Sequence, residues 1–154
     1  MDAIERLVAI EEIKQLKARY FRCMDTKDWD GFAQVFTADA VMDMSGERDD
    51  ALVQGDLVPR GATSIAAFVR DAVDAVQTIH QGYMPEIVPT SSSTATGIWA
   101  MEDRIGPAGS RSRMVHGFGH YHETYEKIDG EWKIKSTTLT RLSKAVTLTR
   151  SSVA

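Results

Sequence analysis

The sequence has little of several features that would point to particular classes of protein. Its 154 residues include one cysteine, Cys23, which excludes an internal disulfide framework and favours a reducing compartment. No apolar run approaches the roughly 20 residues that a membrane helix needs, and the acidic first residues are not typical of a signal peptide. The net charge of −4 gives no indication of a nucleic-acid surface. We therefore expect a cytoplasmic protein with no membrane segment and no nucleic-acid partner.

Common catalytic and nucleotide-binding motifs are also missing. The sequence has no Gly-x-Gly-x-x-Gly, no phosphate loop and no Gly-x-Ser-x-Gly. Hydrophobic residues make up 43% of the chain and charged residues 26%, which is ordinary for a globular protein of this length. The composition therefore predicts a single domain that covers residues 1–154 and has one core.

The spacing of apolar residues predicts three helices. The first begins at Asp2, which forms a capping-box pattern with Glu5, and it ends near residue 25. Its apolar stripe consists of Leu7, Ile10, Ile13, Leu16, Tyr20 and Met24. A second, short helix begins near Asp28 and carries the stripe Trp29, Phe32, Ala33 and Phe36. A third covers about residues 63–76.

The remaining segments predict strands. Residues 40–44 favour a short strand, and residues 45–62 favour an irregular loop because glycine and proline recur there. Segments 78–89, 94–106, 111–128 and 131–148 are rich in Thr, Val, Ile and aromatic residues, with turn residues between them. Asp129-Gly130 is a strong hairpin signal. This order predicts an α+β domain in which about three N-terminal helices pack on a curved, mostly antiparallel sheet and leave an apolar hollow.

Two isolated polar residues are candidates for acid–base chemistry. Asp25 ends the first helix, and it either caps the next helix or has a functional role. Asp28 is better placed to be that cap. His80 starts the β region, and a lone histidine is either a structural residue or a catalyst near neutral pH. Tyr20 lies about 140° round the helix from Asp25, so both face one site only if they flank a broad cavity or if the helix ends early.

Alternation along residues 95–105 predicts a carboxylate on an apolar face. Trp99, Met101 and Asp103 share one side of this strand. A buried carboxylate is costly unless it is paired, so Asp103 either contacts a ligand or forms a salt bridge, with Arg141 as a possible partner.

A third cluster of polar residues lies on the segment after residue 113. His116, His120 and His122 share one strand face and are followed by Glu126. This spacing indicates either a metal site or a solvated outer sheet face. Gly117 and Gly119 fall on the opposite face, where a strand often bends or another group approaches the backbone closely.

Several segments together resemble a known family. The chain is similar, in order, to segments of SnoaL-like proteins at Ile10–Leu16 and Tyr20–Asp25 with Trp29-Asp30, at His80–Gly82 and Pro85–Ile87, at Thr94–Trp99 with Glu102-Asp103, and at Tyr125–Trp132. These belong to the NTF2-like superfamily, whose fold is a cone-shaped α+β barrel. The motifs resemble most closely those of the bile acid 7α-dehydratases. Scytalone dehydratases and hexachlorocyclohexane dehydrochlorinases have a related Asp–His pair.

The resemblance implies a site and an activity. It implies that the catalytic residues are Tyr20, Asp25, His80, Asp103 and Arg141. We expect Trp99, Met101, Met44, Phe36 and Tyr83 to line the substrate pocket. The implied function is a cofactor-independent, metal-free lyase, dehydratase-like, that acts on a hydrophobic polycyclic or steroid-like molecule. The alternatives are a ketosteroid-type isomerase and a non-catalytic binding protein for an apolar ligand. We also expect a homodimer or homotrimer.

Overall fold

The computed structural model describes residues 1–47, 56–107 and 113–148. In these ranges the chain forms helices α1 (Ala3–Asp25), α2 (Trp29–Gln34) and α3 (Ala62–Val73) and a short 3₁₀ turn (Ser45–Glu47). The strands are β1 (Phe36–Asp43), β2 (Gln77–Pro89), β3 (Thr94–Gly106), β4 (Arg113–Ile128) and β5 (Glu131–Leu148). No helix in the described ranges is long and apolar enough to cross a membrane.

The five strands form one sheet in the order β1-β5-β4-β3-β2. β2 to β5 are an antiparallel meander, and β1 is added parallel to β5 at the edge. The three helices pack on this curved sheet, so the predicted α+β, NTF2-like cone fold is confirmed. The core between them is apolar and includes the fully buried side chains Ile13, Leu16, Phe32, Met42, Ile65 and Ile134.

The long helix α1 begins where the sequence predicts. Asp2 and Glu5 form the capping box, with each side chain accepting the other residue's backbone N–H at 2.8 and 2.7 Å. Ile13, Leu16, Tyr20 and Met24 of the apolar stripe are buried and Ile10 is half-buried, but Leu7 is 67% exposed. The first two turns of α1 therefore extend beyond the core.

The prediction that Phe36 belongs to the second helix is wrong. α2 ends at Gln34, and Phe36 is the first residue of β1, four residues before the predicted strand start. The cause is pairing with β5, because Ile134 donates its backbone N–H to the carbonyl of Val35 at 2.9 Å. This bond takes the chain out of the helix and into the sheet.

The turns follow the sequence signals where the structure describes them. Asp129 and Gly130 connect β4 to β5 with φ angles of +51° and +85°, as a two-residue hairpin turn with both central residues left-handed requires. The irregular segment predicted over 45–62 includes the 3₁₀ turn at its start. Residues 48–55 of that segment, and 108 and 109 of the predicted turn after β3, lie outside the described residues.

Candidate active site

A cavity of about 70 Å³ lies between α1, α3 and the inner face of the sheet. Its apolar lining consists of Met24, Met42, Met44, Phe68, Val69, Ala72, Val73, Ile105 and Leu139. Its polar lining consists of Tyr20, Glu47, His80, Asp103, Tyr121 and Arg141. An apolar cavity with a few convergent polar groups is typical of a small-molecule site, although such sites usually measure about 300–1,000 Å³.

His80 and Asp25 form a close pair at this cavity. His80 Nδ1 lies 2.6 Å from Asp25 Oδ1, and the backbone N–H of His80 donates to Asp25 Oδ2 at 2.8 Å. The hydroxyl of Thr78 donates to Asp25 Oδ1 at 2.9 Å. Because a carboxylate only accepts hydrogen bonds, Nδ1 carries the ring proton and donates to Asp25, which leaves Nε2 as the basic nitrogen. The imidazole is 5% exposed and packs parallel to the ring of Phe21 at 6.2 Å between centroids.

Local structure at the end of α1 explains why Asp25 reaches His80. Thr26 caps the helix by donating its backbone N–H and its hydroxyl to the carbonyl of Arg22, and Lys27 then adopts a φ of +62°. Asp28 caps α2 by accepting the N–H of Gly31 at 2.9 Å. Asp28 therefore has the capping role, and the carboxylate of Asp25 faces β2.

Tyr20 and Tyr121 bring two hydroxyl groups to the cavity. Their ring centroids lie 5.9 Å apart. Burial, with the charge of Glu123 second, raises the pKa of Tyr20, while a side-chain hydrogen bond with Tyr121 acts in the opposite direction. Burial also raises the pKa of Tyr121. Both phenols are therefore protonated near neutral pH and can act as hydrogen-bond donors.

The far wall of the cavity is an ion-pair network around Arg141. Its guanidinium donates to both oxygens of Asp103, at 3.0 and 2.7 Å, and also contacts Glu47. Glu47 is buried and accepts a further bond from Lys144 at 2.8 Å. Burial lowers the pKa of Arg141, but the two carboxylates outweigh this effect and raise it. The salt bridge between Asp103 and Arg141, one of the alternatives from the sequence, is thus formed.

Gly117 makes room for this ion pair. A Cβ atom at this position would lie 2.4 Å from Asp103 Oδ1 and 2.5 Å from Arg141 Nη1. This agrees with the prediction that another group approaches the inner face of β4 closely at its glycines.

Comparison with known proteins identifies the family. Residues 5–138 match the family model described as a SnoaL-like domain. The chain belongs to the SnoaL-like family. Its solved relatives share the same NTF2-like fold.

Three relatives illustrate the similarity. Probable cyclase FGR4 of Gibberella zeae is 28% identical over 134 residues, which are 84% of this chain and 89% of that protein. A candidate scytalone dehydratase of Novosphingobium aromaticivorans DSM 12444 has a TM-score of 0.76 at 18% identity, covering 94% and 91% of the two chains. Hexachlorocyclohexane dehydrochlorinase LinA-type3 of Novosphingobium barchaimii LL02 has a TM-score of 0.78 at 17% identity, covering 95% and 94%. At these identities the two structures show the fold alone.

In this SnoaL-like domain the predicted site residues fall into three groups. Tyr20, His80, Asp103, Arg141 and Met44 line the cavity, and Asp25 lies directly behind His80. Phe36, Trp99 and Met101 are buried, but none of them belongs to the lining formed by the described residues. Tyr83 is on the outer face of the sheet and donates to Glu102 at 2.7 Å.

The four misplaced pocket residues have separate physical reasons. Phe36 packs on Phe32 inside the core at 5.2 Å between ring centroids. Trp99 is buried and donates to the hydroxyl of Tyr125 at 2.8 Å, and the sulfur of Met101 contacts Arg141 Nη1 at 3.7 Å. Tyr83 points outward because successive side chains of β2 alternate and His80 faces inward.

Tyr121 and Glu47 are cavity residues that the sequence reasoning missed. Tyr121 could have been found, because strand alternation puts it on the same face of β4 as Gly117 and Gly119. Glu47 lies in the irregular segment after β1, where no periodicity indicates which side chain turns inward.

The histidine cluster of the SnoaL-like domain lies on the outer sheet face. His116 Nε2 is 2.7 Å from Glu102 Oε1, and His122 Nε2 is 3.1 Å from the hydroxyl of Thr140. Within residues 1–47, 56–107 and 113–148 no group of three or more His, Cys, Asp or Glu residues is arranged to hold a metal ion. This geometry favours the solvated outer face over the metal site.

A larger groove of about 530 Å³ lies on the other side of α1. It is lined mainly by polar residues of α1, α2 and the β4–β5 turn, among them Gln15, Arg19, Arg22, Gln34, Glu131 and Lys133. His80, Asp25 and the tyrosines of the cavity are not part of its lining. The groove is therefore separate from Asp25 and His80.

Proposed function

We propose that this SnoaL-like protein is a cofactor-independent lyase, dehydratase-like, that acts on a hydrophobic cyclic carbonyl compound. The observation that carries the proposal is the Asp25–His80 pair, which borders an apolar cavity with protonated tyrosines opposite. An imidazole oriented by a carboxylate is a general base near neutral pH. Membership of the SnoaL-like family, which has dehydrochlorinase and candidate dehydratase structural relatives, supports the same class of reaction.

The proposed reaction is an elimination through an enolate. His80 Nε2 takes a proton from the carbon next to the carbonyl, and Asp25 stabilises the resulting imidazolium through Nδ1–H. The electron pair of the broken C–H bond moves to the carbonyl oxygen, which accepts hydrogen bonds from Tyr20 and Tyr121. When the enolate reforms the carbonyl, the C–O bond at the next carbon breaks. The leaving hydroxyl takes the proton from His80 and departs as water.

The size and charge of the cavity limit the substrate. A cavity of about 70 Å³ is smaller than the roughly 150 Å³ of a cavity that binds benzene, so even a single ring requires the side chains of Met42, Met44 and Phe68 to move. A polycyclic or steroid-like molecule requires larger movements. The charges of Asp103 and Glu47 are already balanced by Arg141 and Lys144. We therefore infer an uncharged reacting ring, with Asp103 and Arg141 near its polar substituent. The motif resemblance to bile acid dehydratases supports a ring-bearing substrate.

The test is exchange and elimination on a panel of cyclic ketones with and without a β-hydroxyl group. The wild-type protein is expected to exchange the α-hydrogens with deuterium from the solvent and to form a conjugated enone with loss of water. His80→Ala is expected to lower both rates by about 10²–10⁴ because it removes the general base. Mass spectrometry measures exchange and water loss, and absorbance measures the enone.

The matched control is His122→Ala, because His122 lies on the outer face of the sheet. This variant is expected to keep the wild-type rates, and circular dichroism checks that both variants fold. Full turnover in His80→Ala would contradict the mechanism.

The same assay separates the two alternative functions. An isomerase shares the proton abstraction but returns the proton to another carbon, so its product has the mass of the substrate. A carrier of apolar ligands is supported by the methionines of the lining, and its binding survives the loss of His80.

The proposal for the assembly remains a homodimer or homotrimer. It is supported by exposed apolar side chains on the outer sheet face. Phe118 is 42% exposed and Leu142 is 73% exposed.

A further inference from the structure

Lys17 is a buried lysine directly behind the cavity. It faces inward from α1 with 1% of its side chain exposed, and the side chain of Glu123 on β4 is completely buried. Lys17 Nζ lies 2.6 Å from Glu123 Oε1. The cavity lining formed by the described residues does not include Lys17. Any effect of Lys17 on a bound molecule therefore passes through its neighbours.

A hydrogen-bond network holds Glu123 in place. Tyr125 donates its hydroxyl to Glu123 Oε2 at 2.5 Å, and Thr137 donates to Oε1 at 3.1 Å. Trp99 in turn donates its indole N–H to the hydroxyl of Tyr125 at 2.8 Å. Burial lowers the pKa of Lys17, and the charge and hydrogen bond of Glu123 oppose this effect without reversing it. The 2.6 Å ion pair with Glu123 supports the ammonium form. The network thereby fixes the position of the lysine nitrogen.

The ammonium group lies against both tyrosines of the cavity. Lys17 Nζ is 3.9 Å from the ring centroid of Tyr20 and 3.7 Å from that of Tyr121. Both distances are within the roughly 6 Å at which a cation is attracted to an aromatic face. A positive charge against the ring stabilises electron density on the phenol and so strengthens its hydroxyl as a hydrogen-bond donor. At Tyr20 the charge of Lys17 thereby opposes that of Glu123, which raises the pKa of this phenol.

Stability alone does not explain this ion pair. Removing two charges from water is costly, and apolar residues of similar volume often replace a buried pair without loss of stability. The contacts with Tyr20 and Tyr121 provide a functional reason. We propose that Lys17 is a positioning residue of the lyase site proposed above. Held by Glu123, it fixes the two tyrosine rings and strengthens their hydroxyls as donors to the oxygen on which negative charge develops.

The test compares two single-ring probes that differ in one oxygen. Above the pKa of free 4-nitrophenol the phenolate mimics the charged oxygen of an enolate, whereas nitrobenzene lacks that oxygen. The variant Lys17→Met/Glu123→Gln removes both charges and keeps both side-chain lengths. The Kd of this variant for 4-nitrophenolate is expected to rise about fivefold to thirtyfold, which is the effect of losing a desolvated cation–π contact. Its Kd for nitrobenzene is expected to change by less than about twofold. Absorbance titration and calorimetry measure the two values.

A surface lysine on the same helix supplies the control. Lys14 is 46% exposed and pairs with Glu11, and Lys14→Met is expected to leave both Kd values unchanged. Unchanged phenolate binding in Lys17→Met/Glu123→Gln would overturn the proposal. Equal weakening of both probes would also overturn it, because a merely structural role distorts the cavity for both.

A second variant keeps the test decisive if the double variant does not fold. Lys17→Gln retains a hydrogen-bond donor for Glu123 and removes the positive charge, so the same selective loss of phenolate binding is expected. Wild-type affinity for the phenolate in Lys17→Gln would overturn the role of the cation.

The outcomes separate this inference from the proposed function. If the wild-type protein does not prefer 4-nitrophenolate to nitrobenzene, the tyrosines are not oxyanion donors, and both this inference and the enolate mechanism fail. If His80→Ala retains full turnover, the lyase mechanism fails. The measured effect of Lys17 on phenolate binding does not depend on that result.

Discussion

At the scale of single residues, two aspartates three positions apart have different surroundings. Asp25 accepts hydrogen bonds from Thr78 and from the backbone and ring of His80. Asp28 accepts the N–H of Gly31 at the start of α2. Both lie near the end of α1, and the chain turns between them at Lys27, so their side chains point in different directions. A pair of substitutions can therefore separate chemistry from stability.

Asp25→Asn is expected to remove most activity with little change in stability. The asparagine amide must donate to His80 Nδ1, which moves the ring proton to Nε2 and leaves no base facing the cavity. We expect the exchange and elimination rates to fall by at least about 10², with the folded structure retained. Steady-state kinetics and thermal unfolding measure the two effects.

The companion substitution Asp28→Ala is expected to give the opposite result. It removes the cap of α2 and should lower the free energy of unfolding by about 0.5–2 kcal/mol, while the rates stay near those of the wild type. Wild-type activity in Asp25→Asn, or a catalytic defect confined to Asp28→Ala, would contradict the assignment of the two roles.

At the scale of elements, the β4–β5 hairpin is the longest antiparallel pairing in the described sheet. Its register runs from Ile128 and Glu131 beside the turn to Arg113 and Leu148, and it carries Tyr121, Glu123 and Arg141. The turn therefore sets the relative position of three side chains that belong to the site or support it.

Gly130→Ala tests how strongly this turn specifies the hairpin. Gly130 has a φ of +85°, and a Cβ atom there would meet nothing within 4 Å. The cost is therefore one of backbone conformation alone, and we expect the free energy of unfolding to fall by about 1–2 kcal/mol in urea denaturation.

Asn tolerates a positive φ, so Gly130→Asn is expected to lose less stability than Gly130→Ala. Equal stability of Gly130→Ala and the wild type would show that the turn does not select the register.

At the scale of the whole molecule, Glu102 connects three strands on the outer face. It accepts hydrogen bonds from Tyr83 of β2 and Arg104 of β3, and it lies 2.7 Å from Nε2 of His116 of β4. The hydrogen bonds from Tyr83 and then His116 lower its pKa from 4.5 to about 2. Since the unfolded chain binds this proton more tightly, the contribution of Glu102 to stability is present above about pH 4.5 and is lost as the pH falls towards 2.

The Glu102→Gln variant is therefore expected to lose less stability than the wild type when the pH is lowered. The stability difference between wild type and variant should be largest near pH 6 and should shrink steadily between pH 4.5 and the lowest pH at which both proteins fold. Urea denaturation at a series of pH values measures the difference. Glu86→Gln, an exposed substitution on β2, is the control, and a constant difference at all pH values would contradict the role of Glu102.

Much of the fold could be predicted because it depends on local signals. The predicted strand at residues 78–89 corresponds to β2 (Gln77–Pro89), and the capping box of α1 and the Asp129-Gly130 turn are formed. Alternation along β3 put Asp103 on the inner face, where it is 2% exposed. Each of these features is set by neighbouring residues, whose spacing the sequence displays directly.

The sequence by itself determined most of the elements, the inner face of β3 and the candidate residues Tyr20, Asp25 and His80. Only the tertiary structure decided that Asp25 and His80 meet although 55 positions separate them, and that Lys17 and Glu123 meet across 106. It also decided that Trp99 packs in the core and that Glu47 turns inward to Arg141. The physical reason is that such contacts depend on how α1 and the segment after β1 pack against the sheet, and no local spacing specifies that packing.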